Sequence, residues 1–252
     1  MLLFIKIVLR LIIFILVFLI LLLSNCKKQD ENKCFKSNGK IIQQERPLNS
    51  FSKIVVEDKI DLIIKEDTID HLKIKTPENL VNYIITEIKD DVLYISNKNK
   101  CNWLRSFDID IDVEIFTTAF IELECRGAGI IKTDGFLVKD FFELNIHDAS
   151  SRVELMLKAN NSKIQLHNGC SDIYITGFTN NSTVYNAGTG NIYMQNFNTK
   201  TTNIRHKGTG QCFIKTSDYL TALLEYVGDI HYFGNPVNTE LIDNGEGEII
   251  QH

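Results

Sequence analysis

The sequence contains few residues that break a chain or join domains. Of its 252 residues, three are proline and one is tryptophan. No stretch rich in proline, or in glycine and serine, interrupts the chain after Cys34, which predicts one continuous body without linkers. Beyond residue 34, no segment keeps apolar residues at the i, i+3, i+4, i+7 spacing over three turns, so long amphipathic helices are not expected.

The sequence also lacks an excess of positive charge and the common catalytic motifs. Lysine and arginine number 27 against 32 aspartate and glutamate residues, a formal net charge of −5. Without a basic patch, nucleic acid is not an expected partner. There is no Gly-x-Ser-x-Gly, no His-Glu-x-x-His and no glycine loop placed to bind phosphate, so neither these hydrolase classes nor a cofactor is predicted.

The longest apolar run lies at the N-terminus. Lys6 and Arg10 precede thirteen apolar residues, 11–23, which is the length of a signal-peptide core and shorter than a typical spanning helix. Residues 23–26 resemble a bacterial lipobox, although Asn25 departs from the small residue usual there. We expect residues 1–25 to be a cleaved lipoprotein signal peptide and Cys26 to carry the lipid. An uncleaved anchor helix from near Phe4 is the alternative.

The segment after Cys26 is polar, and residues 26–33 are interpreted as a solvated tether. Either form of the N-terminus attaches the chain to a membrane, and several acyl chains on one residue would make that attachment stable. The sequence therefore predicts an exported protein anchored at the outer membrane, on the cell-surface or the periplasmic side.

Short runs of alternating apolar and polar residues dominate the rest of the chain and predict an all-β protein. From about residue 120, a turn of small residues followed by an alternating strand recurs every 18 to 22 residues, with a degenerate copy at 147–154. Such a period predicts a parallel β-helix, or β-solenoid, in which stacked turns share one core. Glycines at the corners are expected to supply positive φ. An up-and-down β-sandwich is the alternative.

One predicted strand carries an acid at every second position, namely Asp108, Asp110, Asp112 and Glu114. Successive residues on one face of a strand are roughly 6.6 Å apart, so these carboxylates form a line and do not converge on one ion. We interpret them as the solvent side of a strand. Later acids do not form a ladder, because Asn191 and Gln211 stand between Asp172 and Asp229 in the repeats, and paired catalytic carboxylates are not predicted.

Histidines and cysteines recur near the corners. Aligning the repeats places five residues at equivalent positions just before the corner: Cys125, His147, His167, Asn186 and His206. Thiolates and imidazoles are ligands for zinc or copper. The favoured interpretation is an exposed polar ladder without metal, because His147 and His167 share a face with polar residues.

The remaining cysteines suggest one disulfide. In an oxidising compartment, Cys34 and Cys101 are predicted to pair and to stabilise the fold by up to about 4 kcal/mol. Cys212 takes the place of Ile173 and Ile192 in other repeats and is expected to be a core residue.

Aromatic residues gather in the last repeats. Tyr174, Tyr193 and Tyr232 are candidate ligand-binding residues for a carbohydrate or a protein partner. Packing in the core is the favoured interpretation for these side chains.

Several segments carry a resemblance to a known family. Residues 39–54, 60–62 and 97–106, together with the Gly-Thr-Gly repeats at 188–190 and 208–210, resemble the putative auto-transporter adhesin head GIN domain family. The resemblance covers most of residues 34–252 and implies a right-handed β-helix in a lipid-anchored, exported bacterial protein. It implies no established activity and no catalytic residues.

The sequence thus favours a non-enzymatic cell-envelope lipoprotein whose β-helical surface binds a surface protein or a glycan, with a role in adhesion or in envelope-associated scaffolding. The alternative is a carbohydrate-active enzyme or glycan-binding protein on the same scaffold.

Overall fold

The computed structural model describes residues 39–99 and 110–252, and the structural statements below apply to these residues. They form an all-β body, with one 3-10 turn at Val81–Tyr83. None of their helical segments is long and apolar enough to cross a membrane. The predicted signal peptide, the tether, Cys26 and the Cys34–Cys101 disulfide lie outside the described residues.

Seventeen strands form one continuous sheet. The N-terminal half contains β1 (Ile41–Pro47), β2 (Lys53–Asp58), β3 (Asp61–Lys65), β4 (His71–Pro77), β5 (Ile84–Lys89), β6 (Val92–Asn97), β7 (Asp112–Phe116), β8 (Glu122–Gly127) and β9 (Ile130–Thr133). The C-terminal half contains β10 (Leu137–Ile146), β11 (Arg152–Leu166), β12 (Asp172–Asn186), β13 (Ile192–His206), β14 (Cys212–Leu224), β15 (Ile230–Phe233), β16 (Asn238–Asp243) and β17 (Ile249–Gln251).

The repeated sequence builds a β-solenoid of about six turns, which confirms the predicted fold class. β11 to β14 pair in parallel, and the paired residues lie one sequence repeat apart, as in Val153 with Ile173, Ile173 with Ile192, and Ile192 with Cys212. All four side chains are buried. Burial of each isoleucine contributes about 1.5–3 kcal/mol, and Cys212 holds the core position predicted for it.

Each turn of the solenoid has two arms. In β12 the buried positions are odd-numbered on the first arm (173, 175 and 179) and even-numbered on the second (182, 184 and 186), so the inward positions change from odd to even along one strand. Asn180 and Asn181 lie at this change of phase and form the second corner. The glycine corner, at 187–191, connects the second arm to the first arm of the next turn.

The corner glycines are needed for close stacking rather than for positive φ, so that expectation was wrong for most of them. Among the glycines of these corners, Gly169 has a positive φ, of 88°, and the others do not. A Cβ atom on Gly190 would lie 1.9 Å from the carbonyl oxygen of Ser171 in the turn below. Backbone of one turn therefore occupies the space that a side chain would need.

The N-terminal half continues the same solenoid with a different chain order. β2 pairs in parallel with β6 on one side and β8 on the other. β3 likewise lies between β7 and β9. Because β8 and β9 pair onward with β10 and β11, the two halves share one stack. The N-terminal end is closed by antiparallel strands, β4 on β7, β1 on β4 and β5 on β6.

Candidate functional site

Outward-facing aromatic rings form a column on the first arms of successive turns. Tyr174, Tyr193, Phe213 and His231 are paired neighbours in the parallel strands. Their successive ring centroids are 4.6, 5.2 and 4.6 Å apart, with interplanar angles of 13° or less. Stacked pairs of this kind stabilise a protein by about 0.5–1.5 kcal/mol each beyond their buried area. We call this set the aromatic column.

In the aromatic column, the faces of the rings are covered by neighbouring side chains. Tyr193 is stacked between Tyr174 and Phe213, and the guanidinium carbon of Arg152 lies 4.3 Å from the ring centroid of Tyr174 on the other side. A ligand therefore meets ring edges and the two tyrosine hydroxyls, not ring faces. Burial raises the pKa of Tyr193, so its hydroxyl stays protonated at neutral pH and can donate a hydrogen bond.

A second column of polar side chains runs beside the aromatic column, two residues earlier in each strand. Asp172 Oδ1 accepts hydrogen bonds from the Asn191 backbone N at 2.9 Å and from Asn191 Nδ2 at 3.2 Å. Asn191 Oδ1 accepts from Gln211 N at 2.8 Å, and Asp229 Oδ1 accepts from Glu248 N at 2.9 Å. These carboxylates hold the corners together, which does not suit a pair of catalytic acids converging on a substrate.

Two cavities open on the same outer side. One, of about 340 Å³, is lined by residues that include Lys132, Arg152, Glu154, Met156 and Tyr174. The other, of about 350 Å³, is lined by residues that include Ile63, Lys73, Lys75, Asp112, Glu114 and Lys132. Lys132 borders both cavities. The aromatic column, the polar column and these cavities together are called the first-arm face.

The outer side of the second arms has a different character. Lys53 Nζ lies 2.7 Å from Glu122 and 2.6 Å from Glu124, and Lys163 Nζ lies 2.8 Å from Glu143. We call this outer side the second-arm face; here lysines and carboxylates pair with one another.

Glu124 is the most buried acid of the second-arm face, with 6% of its side chain exposed. Burial alone would raise the pKa of Glu124, but hydrogen bonds from Lys53 and Arg126 outweigh it and hold the pKa below its ordinary value. Glu124 is therefore ionised in the folded protein at neutral pH, and its charge is neutralised within this face.

The predicted ladder of Cys125, His147, His167, Asn186 and His206 is divided between two sides of the sheet. The parallel pairing joins Cys125, Ile146, Leu166, Asn186 and His206 in one inward column. His147 and His167 are one position further along and point outward, where their rings stack at 4.1 Å. The predicted equivalence was wrong for these two histidines, because a shift of one residue reverses the side on which a side chain lies.

Two side chains of the inward column form hydrogen bonds with the backbone of the glycine corners. Asn186 Oδ1 accepts from Gly188 N at 3.0 Å, and Asn186 Nδ2 donates to the Gly190 carbonyl at 3.2 Å. His206 repeats both contacts one turn later, with Nδ1 accepting from the backbone N of Gly208 and Nε2 donating to the carbonyl of Gly210. Burial lowers the pKa of His206, which favours the neutral ring, the form in which Nδ1 can accept from Gly208.

No group of three or more histidine, cysteine, aspartate or glutamate side chains in residues 39–99 and 110–252 is placed to hold a metal ion. Cys125 and Cys212 are free thiols inside the core. Burial raises the pKa of both thiols, that of Cys212 to about 12, so neither is a reactive thiolate at neutral pH.

The three tyrosines predicted to bind a ligand have different positions. Tyr174 and Tyr193 lie in the aromatic column, whereas Tyr232 points inward, is 7% exposed and is paired with Ile214 in the core. Tyr232 is therefore a core residue, as the favoured interpretation of these tyrosines has it, and its candidate role in ligand binding was wrong. Phe213 and His231 complete the column and were not singled out from the sequence, although Phe213 stands one period after Tyr193 and His231 one period after Phe213.

The acidic strand lies at the start of the solenoid, and two of its acids, Asp112 and Glu114, form ion pairs. Asp112 Oδ2 lies 3.4 Å from Lys75 Nζ, and Glu114 Oε1 lies 3.2 Å from Lys65 Nζ. Both acids lie on the outer side of β7, which agrees with the interpretation as the solvent side of a strand. Asp108 lies outside the described residues.

Solved structures with the same fold include proteins from Bacteroides and Parabacteroides species. A protein described as a putative adhesin from Bacteroides fragilis NCTC 9343 has a TM-score of 0.79 at 22% identity, over 84% of this chain and 97% of that chain. A putative adhesin from Parabacteroides merdae ATCC 43184 has a TM-score of 0.61 at 20% identity, over 85% and 98% of the two chains. A putative lipid binding protein from Parabacteroides distasonis ATCC 8503 has a TM-score of 0.64 at 18% identity, over 86% and 98%.

No curated protein shows significant similarity to the chain. The family model described as "Putative auto-transporter adhesin, head GIN domain" matches residues 50–236, the part of the chain that forms nearly all of the solenoid. Since this match covers well over half of the sequence, the protein belongs to the putative auto-transporter adhesin head GIN domain family.

Proposed function

We propose that this protein is a non-enzymatic binding protein of the cell envelope that holds a glycan along its first-arm face. A solenoid offers a long and rigid surface with one row of side chains per turn. The polar and aromatic columns repeat on that surface, so an extended ligand with repeated hydroxyl groups matches it better than a compact one. Binding of such a ligand at a cell surface would serve adhesion.

The observation that carries this proposal is the aromatic column with its neighbouring polar column. Tyr174 and Tyr193 present hydroxyls that are held in place by ring stacking, at centroids 4.6 Å apart. Asp172 and Asn191 present oxygens and amide groups at the same rungs, fixed by their bonds to the corners. Side chains that are already ordered lose little conformational freedom on binding, which favours affinity.

The proposed location is the outer membrane, through a lipid on Cys26. The family is named for adhesins, and adhesion requires export, which agrees with the expected signal peptide. Replacement of Cys26 by serine should abolish incorporation of labelled palmitate. Protease treatment of intact cells should release peptides from residues 120–252 if the solenoid faces outward. Release only after the outer membrane is opened would place the solenoid in the periplasm and contradict a role in adhesion.

The binding proposal is tested with an array of printed oligosaccharides, neutral and acidic, probed with the purified mature protein. The test variant is Tyr174→Phe with Tyr193→Phe, which removes two hydroxyls and keeps the stacked rings. Each lost hydrogen bond is expected to weaken binding by about 1 kcal/mol, so the double variant should bind roughly 10- to 30-fold more weakly. Its thermal unfolding should stay close to that of the wild type.

Tyr185→Phe is the matched control. Tyr185 lies on the second-arm face, with its ring 5.6 Å from that of His167, and loss of its hydroxyl should leave glycan binding unchanged. Equal effects of the control and the double variant would contradict binding at the first-arm face. Failure of the wild-type protein to bind any oligosaccharide on the array would overturn the glycan proposal itself.

A further inference from the structure

The first-arm face has a positively charged end on a protein whose net charge is −5. The cavity of about 350 Å³ there is lined by three lysines and two carboxylates. We propose that this cavity binds the carboxylate group of an acidic glycan, between Lys73 and Lys132. The inference rests on the proposed function and specifies the class of glycan.

Both carboxylates of the cavity already have a lysine partner. Asp112 lies 3.4 Å from Lys75, and Glu114 lies 3.2 Å from Lys65, which is outside the cavity lining. Lys65 also lies 3.3 Å from the exposed Asp134, which is likewise outside the lining. These ion pairs leave the amino groups of Lys73 and Lys132 as surplus charge in the cavity. An amine of this kind can form a charge-assisted hydrogen bond with an anionic ligand, which is roughly twice as strong as a neutral one.

Neither surplus lysine has a carboxylate within ion-pairing distance in the described part of the chain. Lys73 Nζ lies 4.8 Å above the ring of Phe116, which positions the amine without neutralising it. Lys132 is exposed and is paired across the strands with Ile63 on one side and Glu154 on the other. The carboxylate of Glu154 bonds to Arg152 instead, so Glu154 does not neutralise Lys132.

The position of Lys132 connects the anion site to the rest of the first-arm face. Lys132 lines this cavity and also the cavity of about 340 Å³ that contains Arg152 and Tyr174. Lys132, Glu154 and Tyr174 are successive members of one strand-to-strand column. A glycan lying along the aromatic column therefore reaches Lys132 at its end, and an acidic sugar there completes the contact.

The test uses calorimetric titration of the purified mature protein with uronic-acid oligosaccharides and with their carboxyl-reduced, neutral counterparts. The wild type should bind the acidic form about tenfold more tightly than the neutral form. Lys73→Gln and Lys132→Gln should each weaken binding of the acidic form several-fold, and the double variant should bind both forms equally. Lys200→Gln, at an exposed lysine of a second corner, is the control and should change neither affinity.

The outcomes separate this inference from the proposed function. Equal binding of acidic and neutral forms by the wild type, with no effect of the lysine variants, would overturn the anion site and leave glycan binding intact. Binding of neutral oligosaccharides alone would likewise overturn the anion site and leave glycan binding intact. No binding of any oligosaccharide would overturn both. Preference for the acidic form that persists in the double lysine variant would place the carboxylate elsewhere and contradict this site.

Discussion

The two outer faces of the solenoid are built from the same turns but use their polar groups differently. On the second-arm face, Lys53 and Lys163 are paired with Glu122, Glu124 and Glu143. On the first-arm face, Lys73 and Lys132 remain without a carboxylate partner among the described residues, and tyrosine hydroxyls point outward. One face is occupied with stabilising the stack, and the other keeps groups that a ligand can use.

This comparison predicts that equivalent lysine substitutions have opposite consequences on the two faces. Lys53→Gln should lower the free energy of unfolding by about 2 kcal/mol, because Glu124 would lose a charged partner while 6% of its side chain is exposed. Lys132→Gln should change the free energy of unfolding by less than about 0.5 kcal/mol. Urea unfolding followed by circular dichroism measures both.

The two lysine substitutions should have the reverse order of effects on ligand affinity. Lys53→Gln should leave the affinity for the acidic oligosaccharide unchanged under conditions where the variant is folded, and Lys132→Gln should reduce it. If Lys132→Gln destabilised the protein as much as Lys53→Gln, the division between a structural and a binding face would be wrong.

A smaller effect concerns the pH dependence of stability, which we expect from His206 in the interior between the two faces. Unfolded, His206 titrates at its ordinary pKa of 6.5, and burial lowers that pKa in the folded protein. Between the lowered value and 6.5 the unfolded chain binds more protons than the folded one, so stability rises with pH and is lost as the pH falls below 6.5. The loss attributable to His206 should be on the order of 1 kcal/mol.

His206→Asn is the matched variant for this pH dependence, because Asn186 makes the same two corner contacts one turn earlier. The variant should be slightly less stable at pH 7, since asparagine is smaller, and should lose less stability between pH 7 and pH 5. Part of the dependence should remain, because burial also lowers the pKa of His167 and His231. An unchanged pH profile in the variant would show that His206 is not the group that titrates.

The repeats of the C-terminal half were sufficient to predict the solenoid, because each small-residue corner marks one turn. The order of turns in the N-terminal half could not be read in the same way. β2 and β3 precede these strands in the chain but lie between β6–β7 and β8–β9 in the stack. Alternation of apolar residues indicates which side of a strand faces inward, but it does not indicate which strand stacks upon it.

The register at the corners explains the error in the histidine ladder. From Asn186 to Ile192 the chain advances six residues around a Gly-Thr-Gly corner, whereas from Leu166 to Ile173 it advances seven. The corners that begin at His147 and His167 therefore hold one more residue than the later ones, and an alignment on the following strand moves these two histidines by one position. The aromatic column was predicted in part, since Tyr174 and Tyr193 are in it, but a search for tyrosines alone missed Phe213 and His231.

Hydroxyl-radical footprinting of the mature protein, with and without the oligosaccharide that binds most tightly on the array, tests the central claim most directly. The method reports oxidation of aromatic and histidine side chains, which occur on both faces. Our account predicts protection of Tyr174, Tyr193, Phe213 and His231, and unchanged oxidation of Tyr185, His147 and His167. Protection of the second set, or equal protection of both, would contradict the assignment of binding to the first-arm face.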